Sequence, residues 1–372
     1  MDFALTEEQQ AIVDVATQIF GDLCRPERLR EVESGGDWFH EELWNELAKA
    51  GLLGICLPAE VGGQGLGFLE ACLLLEQLGR VVAPVPLHPT LIAGLAIASL
   101  GSRELQSRWL PGVSDGSTVL TLALSEPVGD PREPVLGAVH EKDAWVLTGE
   151  KTVVPFGHLA AAVVVTATDS AGIARAFVVP TTSGGLNWER QDTFNHEPAF
   201  RLVFEGVVLP AGNELGGTAG AVGWIVDRAI IGLCAIAAGV SDAGMRLTAS
   251  YVSERKQFGR AIGTFQAVGH RLADCFIDSE AIRLSMLLAG SRLAEGAEAS
   301  KEVAVAKYWA SLGGSRVGHA GLHLHGGTSI DLDYPIHRYF LWAKHLEFSL
   351  GAATAQLARL GAFLANEPVH AV

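Results

Sequence analysis

Four histidines near one end of the chain, His323, His325, His337 and His345, are the densest set of side chains that could hold a metal ion. No cysteine or carboxylate joins them at metal-ligand spacing, so turn and helix-face histidines account for them and no metal ligand is assigned. Five cysteines, Cys24, Cys56, Cys72, Cys234 and Cys275, are scattered without a CxxC pair, and three lie in apolar runs such as Leu233-Cys234-Ala235. Reduced, buried thiols are expected of them. The string Gly62-Gly63-Gln64-Gly65-Leu66-Gly67 is rich enough in glycine to cradle a phosphate. It follows a helix-like segment rather than a strand, so it is not a dinucleotide-binding loop.

The elements that would position any such chemistry fall into three stretches. From Thr6 to about Leu110 apolar residues recur at helical spacing, and Thr6 with Gln9 forms a capping box for the first helix. From Val119 to about Val208 β-branched runs alternate with Gly, Pro and Asp turns, as in 119–124, 144–147, 162–165 and 176–179, which suits an antiparallel barrel or sandwich. After Gly216-Gly217 the helical period returns, with 230–253 and 265–293 long enough for bundle helices. The chain thus divides into 1–118, 119–215 and 216–372, with only a short polar tail near Asn366. Its 372 residues, 49% apolar, can bury large cores. A net charge of −15 lacks the Lys/Arg field that nucleic acid requires. The start Met1-Asp2-Phe3-Ala4-Leu5 has no signal-peptide pattern, and the apolar run 89–100 is too short to span a membrane, so it reads as a buried helix. A cytoplasmic protein without a membrane span is the expectation.

Several stretches resemble the acyl-CoA dehydrogenase family, in the family's order and over nearly the whole chain. Leu43 to Gly54, continuing through Leu57-Pro58-Ala59-Glu60-Val61-Gly62-Gly63 to Leu75-Glu76-Gln77-Leu78-Gly79-Arg80, is similar to "AGLLGLGIPEEYGG" and "LEELGR". Leu124-Ser125-Glu126-Pro127 resembles "TEP", and Leu147-Thr148-Gly149-Glu150-Lys151 resembles "LNGEKxWIT". The most specific match is Glu254-Arg255-Lys256-Gln257-Phe258-Gly259 with Ile262 and Phe265-Gln266, similar to "xRxQFGxxIxxFQ"; His325-Gly326-Gly327 and Tyr334-Pro335 follow the "GGxG...YP" segment. The resemblance implies a mostly helical α+β fold: an N-terminal helical domain, a middle β-barrel or sandwich and a C-terminal four-helix bundle, in tetramers that bind FAD between subunits. It assigns Arg255, Gln257 and Phe258 to the ADP half of FAD, with Ile262, Phe265, Gln266, His323, Gly326 and Gly327 nearby. The chemistry is consistent, since a diphosphate needs a fixed cation and backbone N–H groups, which Arg255 and the Gly326-Gly327 turn can supply. The alternative is that Arg255 pairs with Glu254 or another acid on the helix surface while Phe258 and Phe265 are core.

The family's reaction is α,β-desaturation of an acyl thioester, in which a Glu in a dry pocket removes the α-proton. Counting from Tyr334-Pro335 places Leu350 where that base should stand, and counting back from Arg255 places Ala229 at the second position that can supply it. The family's "GxGSD" is here Val128-Gly129-Asp130-Pro131-Arg132, and "WIT" is Val153-Val154-Pro155. Losses thus gather on the flavin-ring and substrate side while the ADP side is intact. That pattern resembles the non-catalytic subunit of actinobacterial heteromeric acyl-CoA dehydrogenases acting on sterol side-chain thioesters. It implies a paralogous partner carrying the catalytic Glu, in an α2β2 assembly, and electron-transferring flavoprotein as acceptor. Two alternatives stay open: a self-sufficient homotetramer with Glu347 or Asp227 as an unusual base, and a flavin-free scaffold or acyl-CoA binding protein.

Overall fold

In the computed structural model, which describes residues 3–217 and 220–366, the Gln9 amide donates to the Thr6 hydroxyl at 3.2 Å. The Thr6 N–H donates to the Gln9 side chain at 3.1 Å, completing the capping box. The helix it opens is α1 (Glu7–Leu23), followed by α2 (Pro26–Ser34), α3 (Glu41–Lys49), α4 (Phe68–Val81), α5 (Leu87–Leu100) and α6 (Arg103–Ser114). Strands β1 (Val119–Ala123), β2 (Gly137–Glu141), β3 (Ala144–Pro155), β4 (Ala160–Asp169), β5 (Ala174–Pro180), β6 (Leu186–Gln191), β7 (Ala199–Pro210) and β8 (Glu214–Leu215) come next. The last part holds α7 (Ala221–Glu254), the short pair β9 (Lys256–Gln257) and β10 (Arg260–Ala261), then α8 (Gln266–Ala294), α9 (Ser300–His325), α10 (Ile336–Phe348) and α11 (Ala353–Ala365). The order is helical, β, helical, as expected.

Contacts group the described residues into two compact units. One holds the chain up to Val13, Cys72–Val82 and everything from Ile230 onward; the other holds Asp14–Ala71 and Ala83–Ala229. In the second unit the eight strands form one sheet in the order β6-β7-β3-β2-β4-β5-β8, with β1 also paired to β4. Its core is Leu147, Val163, Val165, Phe177, Val179, Leu202 and Phe204, all essentially shielded from solvent. The sheet is mixed rather than antiparallel, because β1 and β2 both run parallel to β4. Alternation of apolar residues reports which face a strand buries and says nothing of the direction of its neighbour. Helix α5 is buried along most of its length, as its unbroken apolar run demanded.

In the first unit α9 is the central helix, packed on α8, α10 and α11. The α4 segment and α7 approach so closely that a Cβ at Gly79 would lie 2.1 Å from the Ile236 carbonyl oxygen, and one at Gly239 would lie 2.0 Å from that of Glu76. Polar groups fasten the same crossing: buried Glu76 accepts from Arg80 at 3.1 Å and Arg283 at 3.0 Å, and Arg80 also pairs with Asp242. Five helices, α7 to α11, follow the sheet among the described residues, with α11 packed on α9. The polar tail lies outside the described residues beyond Asn366. The expectation that no apolar run reaches the length of a membrane span needs correction. Helix α7 has 34 residues and is apolar enough to cross a membrane, although 78% of its most apolar window is buried inside the fold. All five cysteines are buried and none forms a disulfide, as expected.

Candidate functional site

The sequence-predicted nucleotide residues Arg255, Gln257, Phe258, Ile262, Phe265 and Gln266 are brought together by a tight hairpin. Helix α7 stops at Glu254, the Arg255 N–H still donates to the Tyr251 carbonyl at 2.8 Å, and the Ile262 N–H closes back on the Arg255 carbonyl at 2.8 Å. Between them β9 and β10 pair antiparallel around the two-residue loop Phe258-Gly259, whose φ values are +52° and +80°. Such a turn favours Asn-Gly, and a phenylalanine held there is strained by about 1–3 kcal/mol. At the tip of this turn Phe258 is 92% exposed, with its ring edge-on to Phe265 at 6.2 Å. Arg260 stacks its guanidinium 4.1 Å from the centre of the Phe265 ring. Phe258 is therefore not core.

The hairpin also collects charge. Arg255, Lys256 and Arg260 are all exposed, and none forms an ion pair with a described residue. Arg255 does not pair with Glu254, whose carboxylate instead lies 3.3 Å from the Ser250 hydroxyl. Three unpaired cations within six residues, on a chain of net charge −15, suit a dianionic diphosphate, with Phe258 and Phe265 offering ring faces beside it. Lys256 and Arg260 were not singled out in the sequence; their signal was charge density around the Arg-Gln-Phe motif.

The second predicted group, His323, Gly326 and Gly327, ends helix α9. His323 is exposed on the last turn and its carbonyl accepts from the Gly326 N–H, while Gly326 takes φ +56°. Tyr251 draws this group to the hairpin: its hydroxyl donates to the His325 carbonyl at 3.3 Å, lies 3.2 Å from the Thr328 hydroxyl, and its ring stacks on His325 at 4.3 Å. Sequence reasoning missed Tyr251, which stands one helical turn before Arg255. His325 also contacts the Gly321 carbonyl at 2.7 Å and the Tyr334 hydroxyl at 3.2 Å, and burial lowers its proton affinity. No group of three or more metal-ligating side chains occurs among the described residues.

The two positions that the resemblance assigns to the base, Leu350 and Ala229, look different. Leu350 lies in the turn between α10 and α11 at φ +52°, followed by Gly351 at +100°. Just before it the buried Lys307 ammonium donates to the carbonyls of Leu346 at 2.6 Å and Glu347 at 3.3 Å and to the Ser311 hydroxyl at 3.0 Å. Burial pushes Lys307 down to about 8. A lone lysine in register with buried Val303 and Ala310 was the overlooked signal. Glu347 is held by Lys344 at 2.5 Å. Ala229 is fully buried in an unbroken stretch of α7, so the count back from Arg255 crosses no interruption. Its carbonyl accepts from His88 Nε2 at 3.0 Å, and burial pushes His88 down to about 4, keeping the ring neutral. Asp227 pairs with Arg132, and Arg228 stacks 3.7 Å from the Trp224 ring. Val153, in the "WIT" position, is exposed at φ +52° and donates its N–H to the Gln191 side chain at 2.8 Å.

A helical, β, helical chain with this hairpin is the architecture of an acyl-CoA dehydrogenase, and the comparisons agree. Residues 6–117 match the acyl-CoA dehydrogenase N-terminal domain and residues 223–365 the acyl-CoA dehydrogenase C-terminal domain. The acyl-CoA dehydrogenase FadE27 of Mycobacterium tuberculosis is 38% identical, over 99% of this chain and 100% of that protein. A chain of a variant of the Tcur3481-Tcur3483 steroid ACAD is 47% identical with a TM-score of 0.92, covering 96% of this chain and 98% of that one. A chain of the ChsE4-ChsE5 complex from Mycobacterium tuberculosis is 38% identical with a TM-score of 0.94, covering 99% and 100%. This chain belongs to the acyl-CoA dehydrogenase family, whose cofactor is FAD.

Proposed function

We propose that this protein is the non-catalytic subunit of a heteromeric FAD-dependent acyl-CoA dehydrogenase, completing flavin sites with a paralogue that carries the catalytic Glu. Residues 1–118, 119–215 and 216–372 are its three functional parts, the last bearing the ADP-side contacts. FAD, when bound, accepts the hydride that leaves the β-carbon of the acyl thioester. This chain's share is binding: Arg255 neutralises the diphosphate, Gln257 and Gln266 offer amide hydrogen bonds, Phe258 and Phe265 cover the nucleotide, and the Gly326-Gly327 turn permits a close approach. The names of the similar complexes support a steroid acyl-CoA as the substrate class and a paralogous partner. Electron-transferring flavoprotein as acceptor and a cytoplasmic setting follow from the family reading.

One contrast carries the proposal: the cations on the exposed hairpin are unpaired, whereas hydrocarbon, Leu350 and Ala229, stands at both positions counted for the base. The two carboxylates that could substitute, Glu347 and Asp227, are each held by a cation, which opposes the homotetramer reading. Co-purification with Glu-bearing paralogues and flavin counting tests it. The expected result is one FAD for every two chains, flavin bleaching by acyl-CoA only in the complex, and unchanged bleaching with Glu347→Gln. One FAD per chain in the isolated protein, with turnover, overturns it; a protein that stays colourless with every partner makes it a scaffold.

A further inference from the structure

The segment 126–136 is fastened at several points. Glu126 accepts from the N–H groups of Val135 at 2.7 Å and Leu136 at 2.9 Å, drawing the ends of the segment together. The Thr168 N–H donates to the Leu136 carbonyl at 2.8 Å, and its hydroxyl donates to the Pro134 carbonyl. In the middle, the Arg132 N–H donates to the Asp130 side chain at 2.9 Å, and the Arg132 guanidinium pairs with Asp227 on α7. That last contact stands out energetically. Arg132 and Asp227 are only 10% and 14% exposed, yet Arg132 Nε is enclosed with no hydrogen-bond partner. A buried ion pair left partly unsatisfied is a poor source of stability, and an apolar pair of similar volume would serve the fold as well.

Its position is specific. Arg132 ends the stretch that departs from the family's "GxGSD", and Asp227 stands two residues before Ala229, the lost base position. Accepting the reading of this chain as the non-catalytic subunit, we propose that the Arg132–Asp227 pair is a latch that holds the 126–136 segment against α7. It keeps the chain's own flavin-ring half from taking a ligand, so only its nucleotide half is used. Loss of the base by itself would leave an idle flavin site; the latch removes the site.

The experiment uses the complex with the Glu-bearing paralogue, saturated with FAD. Asp227→Arg sets two cations against each other, and the exchanged pair Arg132→Asp with Asp227→Arg restores the attraction. Arg132→Gln breaks the pair without charge reversal, should the first variant fail to fold. In Asp227→Arg and Arg132→Gln the amides of residues 128–135 are expected to exchange with solvent about tenfold faster. Bound flavin should rise above the native ratio, and the exchanged pair should return both readings to native. Flavin that stays at the native ratio in both opened variants overturns the latch, whether or not exchange quickens. One FAD per chain in the native complex overturns the parent reading instead, so the two failures are distinguishable.

Discussion

The Glu126 carboxylate lies 2.8 Å from the Lys151 ammonium, and neither side chain is more than 4% exposed. The segments Leu124–Pro127 and Leu147–Lys151, which carry part of the sequence resemblance, are thus two halves of one buried ion pair. Lys151 also donates to the Thr166 hydroxyl at 3.0 Å, and burial pushes it down to about 8. Lys151→Met leaves the Glu126 charge buried without a cation, held only by the Val135 and Leu136 N–H groups, with an expected loss of about 3–5 kcal/mol in denaturant unfolding. Adding Glu126→Gln to that variant should recover much of the loss.

Phe258 sets function against stability. Phe258→Asn suits the left-handed turn and is expected to raise unfolding stability by about 1 kcal/mol while weakening flavin binding in the complex. Thermal unfolding of the chain and flavin titration of the complex read the two effects. A fall in both quantities would show that the exposed ring supports the fold.

Arg255→Gln removes a charge with no internal partner, so unfolding stability should change by less than about 0.5 kcal/mol. Flavin affinity of the complex should fall roughly 10- to 100-fold, the value of a charge-assisted hydrogen bond. Equilibrium dialysis with FAD measures it.

His88 gives the fold a pH dependence. Its folded-state proton affinity lies near 4 against the ordinary 6.5, so the unfolded chain binds the proton more readily. Stability from this group is therefore full above pH ~6.5 and declines as pH falls toward 4, by up to roughly 3 kcal/mol. Urea unfolding from pH 7 to 4 should show this slope, and His88→Gln should flatten it at some cost at pH 7.

The glycines of the helical bundle divide by what surrounds them. Gly239→Ala drives a methyl into the Glu76 carbonyl and should cost about 1–3 kcal/mol or more. Gly314, inside α9, would meet only the Ser241 hydroxyl at 3.8 Å, so Gly314→Ala should stabilise by up to about 1 kcal/mol. Melting temperatures of the two variants should move in opposite directions.

The residue pattern by itself determined the helical, β, helical order, the Thr6–Gln9 cap and the buried α5. Each depends on neighbours a few positions apart, whose periodicity and turn chemistry are local. Tertiary structure alone decided that β1 and β2 run parallel to β4, that Phe258 points into solvent and that Tyr251 ties the hairpin to the Gly326 turn. It also decided that Glu126 meets Lys151 and Asp227 meets Arg132, partners 25 and 95 positions apart. Pairing over such distances is fixed by how the sheet and helices pack, and a linear count of residues carries no record of which charge will be opposite which.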